Sequence, residues 1–546
     1  MSFAHPRTWK VDAVCDRAAL LVIFAVAAAA AFTFRDYGLG WDDFTHAQYG
    51  ELLLRFYSSG FSDQRALSFV NLYMYGGGFD MAAEALAKIL PLSLFETRRL
   101  MGGIIGVIGL AVTWRLARRI GGPAAGLGAV ILLAACPLFF GHMLMNVKDA
   151  PFAVAMIFLL LTLVRLIAEY PRPSLASVAL FGLGLGLAIG SRTLGVLSGV
   201  DMLAALILLG AIEAGSKGPR EALARAARFV AYLLPGFVVA YVVMGLVWPW
   251  SAQAPLNPWR AIIYFSHFFE APWREQFAGD LILVPDMPRS YVPTLLALQL
   301  PEIFLGLGLA GILGAFFAAG RRDLPPRRRA ILLCVALAAV FPVALTVAVR
   351  PAMYNGIRHF VFLLPPLAVL GGVGGAWLFD ALRRRSRYAA AAAIVVFAAG
   401  VTLPVIEMLR LHPYEYSYFN RFAGGVAGAQ DRYMLDYWAL SFKQASQALA
   451  AKIAADKIPK PSGRRWKLAV CGQHRSPEVE LGPDFETSWD PRGADFALML
   501  GVFYCREFDA PVIAEISREG VLYARVYDLR GRNFQTLLNP YPERGY

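Results

Sequence analysis

Arg35-Asp36-Tyr37-Gly38-Leu39-Gly40-Trp41-Asp42-Asp43-Phe44-Thr45-His46 follows directly on an apolar run, Ala18 to Phe34, long enough to cross a bilayer. Two adjacent carboxylates between Trp41 and Phe44 therefore stand at a membrane surface, where aromatic rings prefer to lie. Such a pair reads either as a solvated acidic loop or as a base held out to a lipid-borne substrate. The rest of the chain favours the second.

Of 546 residues, 58% are hydrophobic and only 17% charged, with a mean hydropathy of +0.52. Apolar runs near span length recur between short charged loops, which excludes a soluble protein and predicts a polytopic helical membrane protein. The formal charge of +13 invites a nucleic-acid reading. Lys and Arg cluster in the loops between spans, however, as membrane orientation requires, and no nucleic-acid partner is expected. Arg7, Lys10 and Arg17 before an Ala-rich run imitate a secretory signal, but the spans that follow make this an uncleaved first anchor.

Charge sets the topology. With the N-terminus inside, span 1 (18–34) exits to a long outer loop, 35–98, with helical stretches over Thr45–Tyr57 and Phe79–Leu90. Span 2 (100–114) returns to Arg115, Arg118 and Arg119, and span 3 (124–140) exits to the loop Gly141–Asp149. Span 4 (150–167) re-enters, and Leu175 to Ala211 is long enough for two spans, broken at Ser191-Arg192-Thr193. Span 7 (229–249) exits to a Pro- and Trp-rich loop, Trp248 to Pro293, read as an interfacial aromatic belt in which Trp259 or Trp273 could stack on a sugar. Span 8 (294–319) returns to Arg321–Arg329, span 9 exits to Arg350–His359, span 10 returns to Arg383–Arg387, and span 11 (389–407) exits. Nearly every dense basic cluster then lies inside.

The expected architecture is about 11 spans over residues 1–410, followed by a small outer α/β domain over 411–546. That domain opens with an amphipathic helix, Trp438 to Lys457. Strand-like runs follow at Trp466–Cys471, Phe496–Phe503, and a hairpin of Val512–Ile516 and Val521–Tyr527 turning at Arg518-Glu519-Gly520. Cys471 and Cys505 flank its central strands, an arrangement open to a disulfide in an oxidising compartment.

On this topology Asp42, Asp43, His46, Lys148, Asp149, Arg192, Arg350, Arg358 and His359 all fall at outer span ends. Lys148 and Arg192 run against the inside preference for positive charge. Singly, each is met by a snorkelling side chain or a private ion pair such as Lys148 with Asp149. Together they describe a membrane-surface cavity with carboxylates on one wall and cations on another. That pairing suits glycosyl transfer from a polyprenyl-phosphate sugar to a hydroxyl. A carboxylate takes the hydroxyl proton, and cationic donors stabilise the departing phosphate.

Trp41-Asp42-Asp43-Phe44-Thr45-His46 resembles the first-loop Asp-Glu motif of family 39 membrane glycosyltransferases of the GT-C fold, which include protein O-mannosyltransferases and the lipid A aminoarabinose transferase. Asn146–Phe152 resembles the second outer-loop motif, and Tyr354–Phe360 and His412–Asn420 resemble segments of a bacterial branch. The likeness spans residues 15 to 440. It implies an inverting transferase of the bacterial inner membrane, working at the periplasmic face, with Asp42 as base and Asp43 in support. Lys148, Asp149, Arg192, Arg358 and His359 would face the donor phosphate, with Trp41, His46 and Tyr354 lining the cavity. Asp43 stands where the family usually has Glu, and no sugar-binding repeat domain follows. The implied partners are a lipid-linked sugar donor, membrane lipids and an unidentified hydroxyl acceptor.

Other signals read plainly. Gly182, Gly184 and Gly186 mimic a nucleotide loop but lie mid-span, where small residues let helices approach. His46, His142, His267, His359 and His412 fit no metal-ligand spacing, so neither metal nor cofactor is expected. A flippase of lipid-linked sugars is the rival class. It would place ionisable groups near the bilayer midplane and show internal repeats, and the sequence displays neither. A membrane scaffold with a catalytic tail is the third, but the tail holds no nucleophile–base–acid set.

Overall fold

The computed structural model describes residues 9–266 and 273–533; Arg7, His267 and the tail from 534 lie outside them. Among the described residues, nine helices are long and apolar enough to cross a membrane. A tenth candidate is the pair Pro123–Ala134 and Pro137–Met145, and Leu175–Ser191 is a shorter apolar helix. Each of the eleven expected spans thus has its helix, and the chain is a multi-pass membrane protein. Local chemistry sets the ends. Ser93 and Glu96 form a reciprocal capping box that starts Leu94–Gly121, and Pro123 and Pro326 open their helices where a missing N–H costs nothing. The mid-span glycines act as expected. A Cβ on Gly182 or Gly186 would come within 2.4 or 2.6 Å of a carbonyl oxygen in Pro219–Val247, so these two helices pack backbone to backbone.

Several details differ from the sequence reading, each for a local reason. Span 3 bends by 64° at Cys136-Pro137, because proline breaks the ladder, and residues 141–145 continue as buried helix rather than loop. Span 8 is interrupted at Pro301, leaving a separate helix Tyr291–Gln299. Asn420 covers that break, its amide donating to the carbonyls of Ala297 and Leu300, each at 2.7 Å. The loop after Trp248 is more than an aromatic belt. Trp259 is exposed, but Trp248 is fully buried and donates to the Tyr73 carbonyl at 2.8 Å, fastening the first loop. The same loop forms a hairpin of β1 (Arg274–Phe277) and β2 (Asp280–Leu283). One carboxyl, Asp201, lies inside the span Thr193–Lys217 among Met156, Leu160, Ala338 and Phe362, with Oδ1 unpartnered. The reading that notable charges keep to span ends missed it.

The C-terminal region is the expected α/β unit. Its five-stranded sheet runs β4-β3-β5-β7-β6, built from β3 (Trp466–Cys471), β4 (Phe485–Ser488), β5 (Phe496–Leu500), β6 (Val512–Arg518) and β7 (Val521–Asp528). β3 pairs in parallel with β4 and β5, while β7 is antiparallel to β5 and β6. β5, Phe-Ala-Leu-Met-Leu, is buried throughout, as a central strand should be. Helix Phe442–Ala455 lays Phe442, Ala445 and Leu449 against Leu468, Val470, Phe496 and Leu498. Cys471 and Cys505 form a disulfide.

This unit grips the first loop. Nδ1 of His412 contacts Glu415 at 2.7 Å and Nε2 contacts Asp36 at 3.0 Å, while Tyr37 donates to Glu415 at 2.8 Å. Gly38 lies so close to Leu440 that a Cβ there would stand 2.3 Å from its carbonyl oxygen. Burial works to lower the His412 pKa, but Glu415 and then Asp36 outweigh it and raise the group above its ordinary 6.5. A raised histidine stabilises fully below its unfolded pKa, and that contribution is lost as pH rises through the folded value. Thermal unfolding followed from about pH 6 to pH 9 should therefore show stability falling on the alkaline side, and His412→Gln should flatten that fall. An unchanged slope in the variant would remove His412 as the cause.

Candidate active site

Asp42 occupies the N-cap of helix Asp43–Ser58, where an aspartate ordinarily accepts from the first backbone N–H groups. Here it makes no such bond. Its Oδ2 instead meets Lys148 Nζ and Arg358 Nη1, each at 3.0 Å, and the side chain keeps 26% of its surface exposed. Burial works to raise this carboxyl, yet Lys148 and then Arg358 outweigh it and hold the group well below the usual carboxylate range. Asp42 is therefore an anion reachable from outside and balanced by two cations.

Asp43 faces the other way and is buried. Its carboxylate accepts from Gly40 N–H at 2.8 Å and from Arg99 at 3.0 and 2.6 Å. Arg99 also donates to the carbonyls of Gly38 at 2.6 Å and Met145 at 3.1 Å. Behind it, Asp80 takes His46 Nδ1 at 2.8 Å and Arg98 at 2.6 Å. Burial, which would raise Asp80, is outweighed by His46 and Arg98, so its pKa falls.

The opposite wall is a second acid–base set. Asn146 spans the start of helix Asp149–Glu169, its oxygen accepting the N–H of Lys148 and Asp149 while its amide donates to Asp149 at 2.9 Å. Asp149 pairs with Arg192 at 2.8 Å and lies 4.0 Å from Arg358. Arg358 is sandwiched between the rings of Tyr354 and Trp438, each centred 5.2 Å away, a setting that favours a guanidinium. Lys148 and Arg192 both approach the Tyr75 ring. Lys148, Arg192 and Arg358 thus share one polar pocket with Asp42 and Asp149.

The sequence profile of the family described as dolichyl-phosphate-mannose-protein mannosyltransferase matches residues 88–248. No curated protein matches the sequence. Among solved structures, the Archaeoglobus fulgidus oligosaccharyltransferase in the apo form superposes with a TM-score of 0.50 at 14% identity, covering 87% of this chain and 65% of that one. The same organism's enzyme AglB, in complex with an inhibitory peptide and a dolichol-phosphate, gives 0.50 at 12% identity over 88% and 69%. ArnT from Cupriavidus metallidurans bound to undecaprenyl phosphate gives 0.49 at 15% identity over 93% and 97%. The chain thus shares the fold of these membrane-embedded oligosaccharyltransferase structures, and part of it matches the mannosyltransferase family profile. Lys148, Asp149 and Arg192 fall inside the segment that matches the family profile.

Five of the residues singled out in sequence share the pocket: Asp42, Lys148, Asp149, Arg192 and Arg358. Tyr354 and His359 border it, their rings 5.1 Å apart. The private pair of Lys148 with Asp149 does not form, since Lys148 turns to Asp42 and Asp149 to Arg192. Adjacent side chains at a helix start diverge, which is why chain adjacency misleads there. His46 is drawn away to Asp80, and the exposed Trp41 gives its carbonyl to Gln473 of the soluble unit at 3.3 Å. Arg350 is no site residue, because its guanidinium is spent on the carbonyls of Asp286 and Met287.

Sequence reasoning passed over Arg98 and Arg99, although their signal was the one used for Lys148: basic residues at the outer start of a capped apolar helix. Arg99 and Asp43 form a pair out of water, and breaking such a pair from one side costs about 3–5 kcal/mol. Arg99→Ala should therefore sharply lower the yield of monodisperse protein in detergent and its unfolding temperature, whereas exposed Arg35→Ala should leave both near wild type. Equal behaviour of the two variants would refute the keystone role.

Proposed function

We propose that this protein is a GT-C glycosyltransferase that moves a sugar from a polyprenyl-phosphate donor to a hydroxyl acceptor, with inversion, at the periplasmic face of a bacterial inner membrane. The observation that carries the reading is Asp42, a partly exposed carboxylate whose ion-pair partners, Lys148 and Arg358, are cations suited to a phosphate. The family description names a dolichyl-phosphate sugar, and the AglB structure holds a dolichol-phosphate, so a lipid phosphate donor is in keeping with both.

In the proposed step the acceptor oxygen attacks the anomeric carbon, forming the new glycosidic bond as the carbon–oxygen bond to phosphate breaks. The electron pair leaves with polyprenyl phosphate, and Asp42 takes the hydroxyl proton. At rest its two cations make Asp42 a weak base. A donor phosphate shares Lys148 and Arg358, which relaxes the hold on Asp42 and lifts its basicity only when substrate is present. Arg192, through Asp149, completes the positive wall that receives charge developing on the leaving phosphate. Asp43 supports by fixing the backbone beneath Asp42. The leaving group is already acidic, so the chemistry calls for no metal and no protonating acid.

The site-to-outside orientation is supported by charge. Helix Leu94–Gly121 begins beside the pocket and ends with Arg118 and Arg119, and the segment that starts at Arg358 ends with Arg383, Arg384 and Arg385. Basic ends opposite the pocket would be the cytoplasmic ones.

Purified protein in nanodiscs, offered a panel of radiolabelled polyprenyl-phosphate sugars, should release free polyprenyl phosphate. Asp42→Asn should lower that release by about 10²–10⁴-fold, the usual worth of a positioned base. Release that persists in Asp42→Asn would move the base elsewhere. Labelled lipid crossing the bilayer without consumption would replace the transferase with a flippase.

A further inference from the structure

We propose that Glu275 is a positioning residue that aims Arg358 at the base by clamping the turn Asn355–Gly356, and that the β1–β2 hairpin thereby ties Arg358 to the soluble unit. The clamp rests on geometry alone; its effect on phosphate binding rests on the donor reading above.

The carboxylate of Glu275 is buried. It accepts the Asn355 N–H with both oxygens, at 2.8 and 2.7 Å, and the Tyr291 hydroxyl at 2.7 Å. Asn355 and Gly356 are consecutive left-handed residues, with φ of 57° and 66°. Asparagine and glycine are residues that enter this region readily, so the turn is unstrained and its direction is set by what its N–H groups meet. Turns of this kind aim backbone N–H groups at an anion, and Glu275 is that anion. Two residues on, Arg358 reaches Asp42. At the other end of the segment, Arg350 is held by the carbonyls of Asp286 and Met287. Residues 274–291 therefore hold 350–358 at both ends.

The hairpin is itself fixed from the far side. Phe277 bridges Tyr433, Gly279 N–H donates to the Arg432 carbonyl at 3.1 Å, and Gln276 donates to the Asp431 carbonyl at 2.5 Å. The stretch 431–438 then runs on to Trp438, whose ring covers Arg358. A purely packed turn would not need a charge here. Burial pushes Glu275 up to about 7 against the Asn355 N–H and Tyr291, and the other titratable groups facing it are Arg358, Tyr437 and Tyr504. A carboxylate in that setting costs stability, and what it supplies is two acceptors for one turn and a negative charge beside Arg358.

The test uses the full chain in nanodiscs, with undecaprenyl phosphate as the probe and hydrogen exchange across residues 354–358. Glu275→Gln keeps the shape but offers one acceptor. It should raise exchange at 354–358, leave exchange in helix Pro326–Val349 unchanged, and weaken undecaprenyl phosphate binding by about tenfold, a change of about 1.4 kcal/mol. Arg358→Ala should weaken binding at least as much, and the double variant should lose no more than Arg358→Ala alone. Additive losses, or unchanged exchange at 354–358, would overturn the proposal. If wild type binds no undecaprenyl phosphate, the donor reading fails and the exchange arm alone decides the clamp. Should Glu275→Gln not assemble, Tyr291→Phe, which removes only the hydroxyl that Glu275 accepts from, must raise exchange at the same residues, and no change there would again overturn it.

Discussion

Arg99 is the constraint on which the pocket depends. A guanidinium out of water needs acceptors, and the two terminal nitrogens of Arg99 find theirs in two pieces of chain: the carboxylate of Asp43 and the carbonyl of Gly38 in the first loop, and the carbonyl of Met145 at the end of the broken span. These are the pieces that present Asp42 and, through the turn after Met145, Lys148. Remove the charge and the first loop loses this tie to the bent helix. Asp42 and Lys148 are therefore the partly exposed members of a larger polar cluster whose buried members, among them Asp149, Arg192 and Arg358, set their positions.

That division of labour separates two neighbouring aspartates that look alike in sequence. Asp43, at the first turn of its helix, is committed to Arg99 and to Gly40 N–H. Asp42, one residue earlier, declines the capping bond its position offers and remains exposed between two cations. The short side chain of Asp43 reaches its guanidinium because Arg99 comes close.

What could be read from sequence followed from hard physical requirements. A bilayer demands about twenty apolar residues per helix, so the spans were legible, and the break at Ser191-Arg192-Thr193 fell where the helix Leu175–Ser191 ends. Alternation and turn chemistry gave β3 to the residue and the β6–β7 hairpin nearly so. The five pocket residues were legible because charge at an outer span end is unusual. Pairings were not: Lys148 beside Asp149 suggested a local bond, and only the fold sends Lys148 to Asp42. Glu275 was hidden in a loop read for its aromatic residues, and β4 was hidden by the charged, short run Phe485–Ser488.

Asn420 carries a consequence for modularity. Proline at 301 leaves carbonyls of Ala297 and Leu300 without helical donors near the membrane end of the bundle, and the donor that answers them arrives from beyond the last span. The bundle is therefore not finished when its final helix is made. A chimera that exchanged the soluble unit directly after Leu411 would import a foreign segment at the place where this one completes its neighbour, whereas a junction placed beyond residue 441 would carry the repair along with the membrane part. The seam visible in composition and the seam along which the molecule could be cut are different places.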